Sequence, residues 1–207
     1  MNGIVIADYG VGNLQSVLRM LRKAGAQAQL SSDPADIRAA AKVILPGVGN
    51  FGYCAEQLRS APFFADLRWF ALEARRPILG ICVGGQLLGH GSEEAPGVAG
   101  LGWLDMRCRR FPDRPGYRVP NMGWNTIAPR GDAPLFAHLD NASRFYFVHS
   151  YYMDCADPAL TIATADYGFA YACAVRKDNI FGVQFHPEKS LRHGMGLLKA
   201  FAEMQAV

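Results

Sequence analysis

Arg76-Pro77-Ile78-Leu79-Gly80-Ile81-Cys82-Val83-Gly84-Gly85-Gln86 is the stretch on which the reading of this chain turns. Pro77 to Ile81 is a short apolar run, the pattern of a fully buried strand. Glycines stand two residues before and two residues after Cys82. This is the nucleophile-elbow pattern with Cys in place of Ser, a strand-to-helix turn so tight that side chains at those two positions would collide. An elbow lifts the sulfur to the carboxyl end of a sheet. It also points the first amides of the next helix at a ligand, which favours negative charge on the sulfur and stabilises an oxyanion. The competing reading is a buried Cys in a glycine-rich turn, because free Cys is ordinarily core filling.

A candidate partner lies in Ile180-Phe181-Gly182-Val183-Gln184-Phe185-His186-Pro187-Glu188-Lys189-Ser190. A second apolar run ends in a His, and a Glu follows two residues on. Pro187 fixes the backbone between them, so the carboxylate can turn back and orient the imidazole. A lone His at a strand end is usually structural. Cys, His and Glu all at strand ends read instead as nucleophile, base and orienter: Cys82, His186 and Glu188.

Taken in order, Ile4–Ala7 reads as a buried strand and Asp8–Asn13 as a loop at its carboxyl end. Leu14, Val17, Leu18 and Leu21 follow at helical spacing, closed by Gly25. Gly10 and Gly12 lack the third glycine and the later acidic residue of a dinucleotide fingerprint, so that reading is rejected. The loop is read instead as presenting Asn13 at the active face. A strand is expected over 26–31, a short helix from Pro34, and a strand over 42–45. Pro46-Gly47-Val48-Gly49-Asn50-Phe51-Gly52 comes next, a loop whose backbone amides are free to reorient. On its own that is an ordinary strand-to-helix turn; facing an elbow Cys it suits an oxyanion site. Helices are expected over 53–59 and 63–75, and a weak one from Gln86 to Glu94. Beyond Leu101 β-prone runs dominate, at 103–111, 124–127, 144–152, 160–167 and 169–175, with a hairpin at 176–179. Leu191–Met204 reads as a final amphipathic helix using Leu191, Leu198, Phe201 and Met204. The expected fold is a single α/β domain over residues 1–207: an open mixed central sheet, helices on both faces, and an antiparallel β extension. Its active site belongs at the strands' carboxyl ends.

Composition narrows the function classes. Half of the 207 residues are hydrophobic and 19% are charged, ordinary for a chain with a substantial core. A net charge of +3 is too small to argue for nucleic acid, and the loose Arg107/Arg109/Arg110 cluster reads as a solvated strand face. The five cysteines are odd in number and none has metal-ligand spacing, so neither a disulfide framework nor a metal site is suggested. No apolar run approaches the ~18 residues of a membrane span. With no leader pattern at the amino terminus, a cytoplasmic, reducing setting is expected.

Gly80-Ile-Cys82-Val-Gly84-Gly-Gln86 together with Phe185-His186-Pro187-Glu188 resembles the signature of class I glutamine amidotransferases, which have a flavodoxin-like fold. Within that class the chain is most similar to the glutaminase subunits of imidazole glycerol phosphate synthase, from histidine biosynthesis. The further matches are Asp8-Tyr-Gly-Val-Gly-Asn13-Leu, Leu45-Pro-Gly-Val-Gly49-Asn-Phe-Gly52, Pro120-Asn-Met-Gly-Trp124-Asn125 and Tyr146-Phe-Val-His-Ser-Tyr-Tyr152. The resemblance implies hydrolysis of L-glutamine to glutamate and ammonia without a cofactor. It implies an oxyanion hole from the amides of Val83 and Val48, the second reached by rotation of the Gly47–Val48 peptide. Substrate contacts would fall to Gly49, Gln86, Glu94, His149, Ser150 and Tyr151. The partner implied is a (β/α)8 barrel cyclase subunit, docked through Asn13, Met122, Trp124, Tyr146 and Lys189; Trp124 would otherwise be a core residue. The family usually has Met in place of Gly85 and His in place of Asn121, departures that touch coupling to the partner more than chemistry. The rival readings are a paralogue feeding ammonia to a sugar-amidating enzyme, a stand-alone cysteine hydrolase, and an inactive regulatory module.

Overall fold

The computed structural model describes residues 3–140 and 142–205. The amino-terminal half alternates strand and helix: β1 Ile4–Ala7, α1 Leu14–Lys23, β2 Ala28–Ser31, α2 Pro34–Ala39, β3 Lys42–Gly47, α3 Phe51–Ser60, α4 Phe64–Leu72, β4 Ile78–Cys82 and α5 Val83–Gln86. The rest is mostly strand: β5 Met106–Arg110, β6 Asn121–Thr126, β7 Ala128–Pro129, β8 Arg144–His149, β9 Tyr151–Cys155, β10 Thr161–Asp166, β11 Ala170–Lys177 and β12 Ile180–Val183, closed by α6 Leu191–Glu203.

The main sheet runs β2-β1-β3-β4-β12-β11-β10-β7. Its first five strands are parallel, and from β11 onward the pairing is antiparallel. Strand β9 branches off β11 and carries β5. This is the mixed sheet with an antiparallel extension that the sequence pattern predicts. Strands β1, β4 and β12 are buried along their whole length, which is why they read as unbroken apolar runs. The helices fall into two packed groups, α1 with α6 and α2 with α4 and α3, as a largely parallel sheet requires. A separate two-stranded ribbon pairs β6 with β8.

Several boundaries differ from the sequence expectation. The elbow helix α5 ends at Gln86 instead of running to Glu94. The chain from Gly89 to Cys108 folds back in turns, with bridges Gly91–Ala99 and Ser92–Cys108. Glycine at 84, 85, 89 and 91 gives a helix too little propensity to outlast one turn. The run at 144–152 is two strands, β8 and β9, broken at Ser150, whose carbonyl accepts from the Phe111 amide. Leu191 does not join the apolar face of α6. It opens the helix at φ +49°, is 70% exposed, and leaves the buried face to Leu197, Leu198 and Phe201.

The elbow follows from lack of space. Cys82 sits at φ 54°, ψ −115°, a strained conformation for a residue with a side chain. A Cβ on Gly84 would lie 2.0 Å from the Leu45 carbonyl oxygen, and one on Gly80 would lie 2.6 Å from the Gly84 oxygen. Strand β3 and the start of α5 therefore touch backbone to backbone. Gly84→Ala is expected to destabilise the fold by about 3 kcal/mol or more, read as the shift in a urea unfolding midpoint at unchanged slope.

Candidate active site

Cys82, at the end of β4, and His186, just beyond β12, come from adjacent parallel strands, and both line one cavity of about 330 Å³. Val48, Gly49, Val83, Gln86, Glu94, His149, Ser150, Tyr151 and Lys189 line it too, so the structure gathers most of the residues singled out in the sequence. Pro120 and Val148 also line it and carried no sequence signal beyond their motifs.

The imidazole of His186 lies between the Glu188 carboxylate and the Cys82 sulfur. Its Nδ1 is 2.8 Å from Glu188 Oε1, and the Cys82 sulfur pairs with the ring as well. Burial works against a cation here. The hydrogen bonds to Cys82 and Glu188, with their charges, outweigh it and raise His186 to about 10. The turn Pro187–Lys189 after His186 brings the Glu188 carboxylate back to the ring. Both side chains are almost fully buried. Asn13 stands at the N-cap of α1 but makes no capping bond; its amide donates weakly to Glu188 Oε1 at 3.5 Å. Glu188 Oε2 has no partner among the described residues.

The loop after β3 is pinned on both sides of the Gly47–Val48 peptide. The Tyr9 hydroxyl donates to the Pro46 carbonyl, and the Cys54 thiol donates to the Val48 carbonyl at 3.3 Å. Burial pushes Cys54 up to about 11, so it remains a neutral donor at ordinary pH. Burial likewise raises Cys108 and Cys173, which leaves both as inert thiols away from the cavity. Glu94 is partly engaged already, its Oε2 accepting from the Phe51 amide at 2.7 Å at the start of α3.

Gln86 is not at the surface. It is buried, and its amide donates to the Tyr151 carbonyl and to Gln184. His149 is also buried, with Nδ1 2.8 Å from the Tyr151 carbonyl and Nε2 3.3 Å from both Asn121 and Tyr171. Burial, with His186 as a lesser cause, lowers His149 to about 4 and keeps it neutral. The residue at 121 that departs from the family pattern thus donates to the His149 ring. The space beside the other departure, Gly85, is taken by Met153, whose methyl carbon would lie 2.9 Å from an added Cβ.

The ribbon β6–β8 joins this site to the surface. His186 donates its amide to the Tyr146 carbonyl, and Tyr146 donates its amide to Ser190 Oγ. Opposite Tyr146 stands Trp124, their rings edge-on at 6.1 Å, and Lys189 Nζ lies 5.8 Å from the Tyr146 ring centre. Met122 is 62% exposed and Trp124 41%, so Trp124 is not a core residue.

The class-I glutamine amidotransferase family model matches residues 5–204. The chain belongs to the class-I glutamine amidotransferases. Among its relatives, imidazole glycerol phosphate synthase subunit HisH 2 of Pseudomonas aeruginosa is 46% identical over 201 residues, covering 97% of this chain and 99% of that protein. Imidazole glycerol phosphate synthase subunit HisH of Syntrophotalea carbinolica is 45% identical over 206 residues, covering 97% and 100%. The fold matches PurLQS from Thermotoga maritima with a TM-score of 0.73 at 18% identity, covering 97% of this chain and 98% of that one. These likenesses bear out the expected family and fold. Among the described residues no helix is long and apolar enough to cross a membrane.

The neutral, buried His149 makes stability sensitive to acid. Its folded pKa lies below the ordinary 6.5, so below that value the unfolded chain takes up a proton that the folded one refuses. The contribution is complete above about pH 6.5 and is lost as pH falls toward 4, by roughly 3 kcal/mol. Urea melts of wild type and His149→Gln across that range should converge as pH drops.

Proposed function

We propose that the chain is the glutaminase subunit of an imidazole glycerol phosphate synthase, releasing ammonia from L-glutamine for a (β/α)8 barrel cyclase in histidine biosynthesis. The observation that carries the chemistry is an imidazole held between a cysteine sulfur and a carboxylate at the wall of a cavity. The pathway rests on full-length relatives that bear the synthase subunit's name.

In this reading Cys82 attacks the side-chain amide carbon as the thiolate, with its proton held by His186. The C=O π electrons move to oxygen, and the oxyanion rests on the amides of Val83 and Val48. His186 passes the proton to the departing nitrogen, ammonia leaves, and a γ-glutamyl thioester remains. His186 then takes a proton from water, which attacks the thioester and frees glutamate and the thiol. Glu188 fixes the ring tautomer and steadies the cation without itself being protonated. Gly49, Gln86, Glu94, His149, Ser150 and Tyr151 shape the substrate cavity, and Glu94 offers a carboxylate to the substrate's α-ammonium group.

Tyr9 and Cys54 hold the Pro46 and Val48 carbonyls, which confines any reorientation to the Gly47–Val48 peptide between them. A partner docking on Asn13, Met122, Trp124, Tyr146 and Lys189 would act next to that loop and, through the Tyr146–His186 pairing, on the base. Free ammonia becomes ammonium in neutral water and loses its nucleophilic lone pair, so coupling hydrolysis to an acceptor has a chemical purpose.

Glutamate release should rise by roughly two to three orders of magnitude when the cyclase from the same genome is added with its ligand, the worth of one oxyanion donor. Equal turnover with and without the cyclase would reject the gating. Stimulation by a sugar-amidating enzyme in its place would reassign the pathway. Cys82→Ala should lower turnover in the complex by about four orders of magnitude or more, and survival of activity would overturn the mechanism. Trp124→Ala should weaken binding of the cyclase about thirtyfold in a titration while leaving the isolated chain's fold intact.

A further inference from the structure

The mechanism leaves unused a buried polar side chain that lies beside Cys82. Gln184, between β12 and His186, is fully buried and does not line the cavity. Its backbone amide donates to the Cys173 carbonyl, which fixes it to β11. Its side-chain Nε2 lies 3.9 Å from Cys82 Sγ, within reach of a hydrogen bond to sulfur.

The direction of that contact is set by a chain of groups that begins at a backbone atom. The Tyr151 carbonyl can only accept. Gln86 approaches it at 3.2 Å, so the Gln86 end there must be the NH2 group. The same NH2 lies 2.9 Å from the other carboxamide, so the atom of Gln184 facing it must be the oxygen. The NH2 of Gln184 is left pointing at the sulfur. His149 reinforces the anchor, because its Nδ1 hydrogen goes to the same carbonyl at 2.8 Å. Amide orientation is usually a choice between two flips; here an acceptor-only atom decides it two side chains away.

We propose that Gln184 is a catalytic residue of the glutaminase reaction, a fixed N–H donor that stabilises the Cys82 thiolate from a buried position off the cavity wall. A donor strengthens when its acceptor becomes charged, so the contact favours the thiolate over the thiol. No bond of Gln184 is made or broken. The ring of His186 and the amide of Gln184, two residues apart on the segment that leaves β12, both reach the sulfur, which also limits its rotation in the strained elbow. The cost in nucleophilicity is smaller than the gain in thiolate, because nucleophilic strength falls only partly with thiol acidity. Gln86 lines the cavity and also orients Gln184, so the group that meets the substrate is tied to the group that holds the nucleophile.

The proposal rests on Cys82 being the nucleophile, but its test reads the sulfur directly. The full chain, as wild type, Gln184→Met and Gln184→Glu, is treated with iodoacetamide over a pH series, and labelling of Cys82 is followed by mass spectrometry. Gln184→Met keeps the length and loses the donor; a displacement of the labelling profile by about one unit to higher pH is expected, read as about tenfold less labelling at a fixed pH on its rising limb. Gln184→Glu keeps the oxygen that meets Gln86 and turns an oxygen toward the sulfur, and should displace the profile further. With the cyclase bound, kcat should fall about tenfold and KM little. An unmoved labelling profile in either folded variant would overturn the proposal. Should neither variant fold, the side-chain amide resonances of Gln184 in 15N-labelled wild type and Cys82→Ser decide it: a shift confined to Gln184 and Gln86 supports the contact, and unchanged resonances refute it. Absence of glutamate release by the wild-type complex would sink the functional reading alone, since alkylation still reports on the sulfur.

Discussion

Backbone meets backbone where β3, β4 and α5 converge, and the rest of the structure depends on that contact. Leu45 carbonyl and Gly84 come so close that no Cβ can stand between them. The chain must therefore leave β4 in one residue and turn at once into a helix, which holds Cys82 at a positive φ. Strain of this kind persists only where the surroundings over-determine it. Here two buried parallel strands and a one-turn helix do so, and the product is a sulfur presented at a cavity wall.

The second dependence is on β12. Parallel pairing of β12 with β4, in register from Ile180 opposite Ile78 to Val183 opposite Ile81, carries Gln184 and His186 to the level of Cys82. From there His186 is fastened outward, its amide held by Tyr146 and its ring by Glu188. The strand that holds His186 belongs to the ribbon that displays Trp124 and Met122 at the surface. The exposed Trp124 and Met122 and the imidazole of His186 thus share a few hydrogen bonds, a physical route by which anything bound at that surface would be felt at the ring.

The site also separates its titratable groups by environment. His186 is raised by negative neighbours despite its burial, whereas His149, buried among an aromatic ring, an amide and a carbonyl, is lowered. Two histidines near one cavity therefore hold opposite charge states at neutral pH. The three thiols raised by burial in the core, Cys54, Cys108 and Cys173, are kept from competing with the one at the elbow.

The order of elements, the parallel sheet with its antiparallel extension and the membership of Cys82, His186 and Glu188 in one constellation were legible in the chain itself. Each rests on local rules: unbroken apolar runs for strands buried on both faces, glycine where backbones touch, and a proline that turns a carboxylate back on an imidazole. Local rules failed where the outcome depended on distant partners. The end of α5 after one turn, the break at Ser150 and the exclusion of Leu191 from its helix face were set by packing against other segments. Asn13 passing over its own cap for Glu188, Trp124 lying exposed, and Gln184 turned by Gln86 toward sulfur needed groups many tens of residues apart to meet. A sequence encodes which side chains can hydrogen-bond, but only the folded chain fixes which acceptor lies within reach and so which way each amide must point.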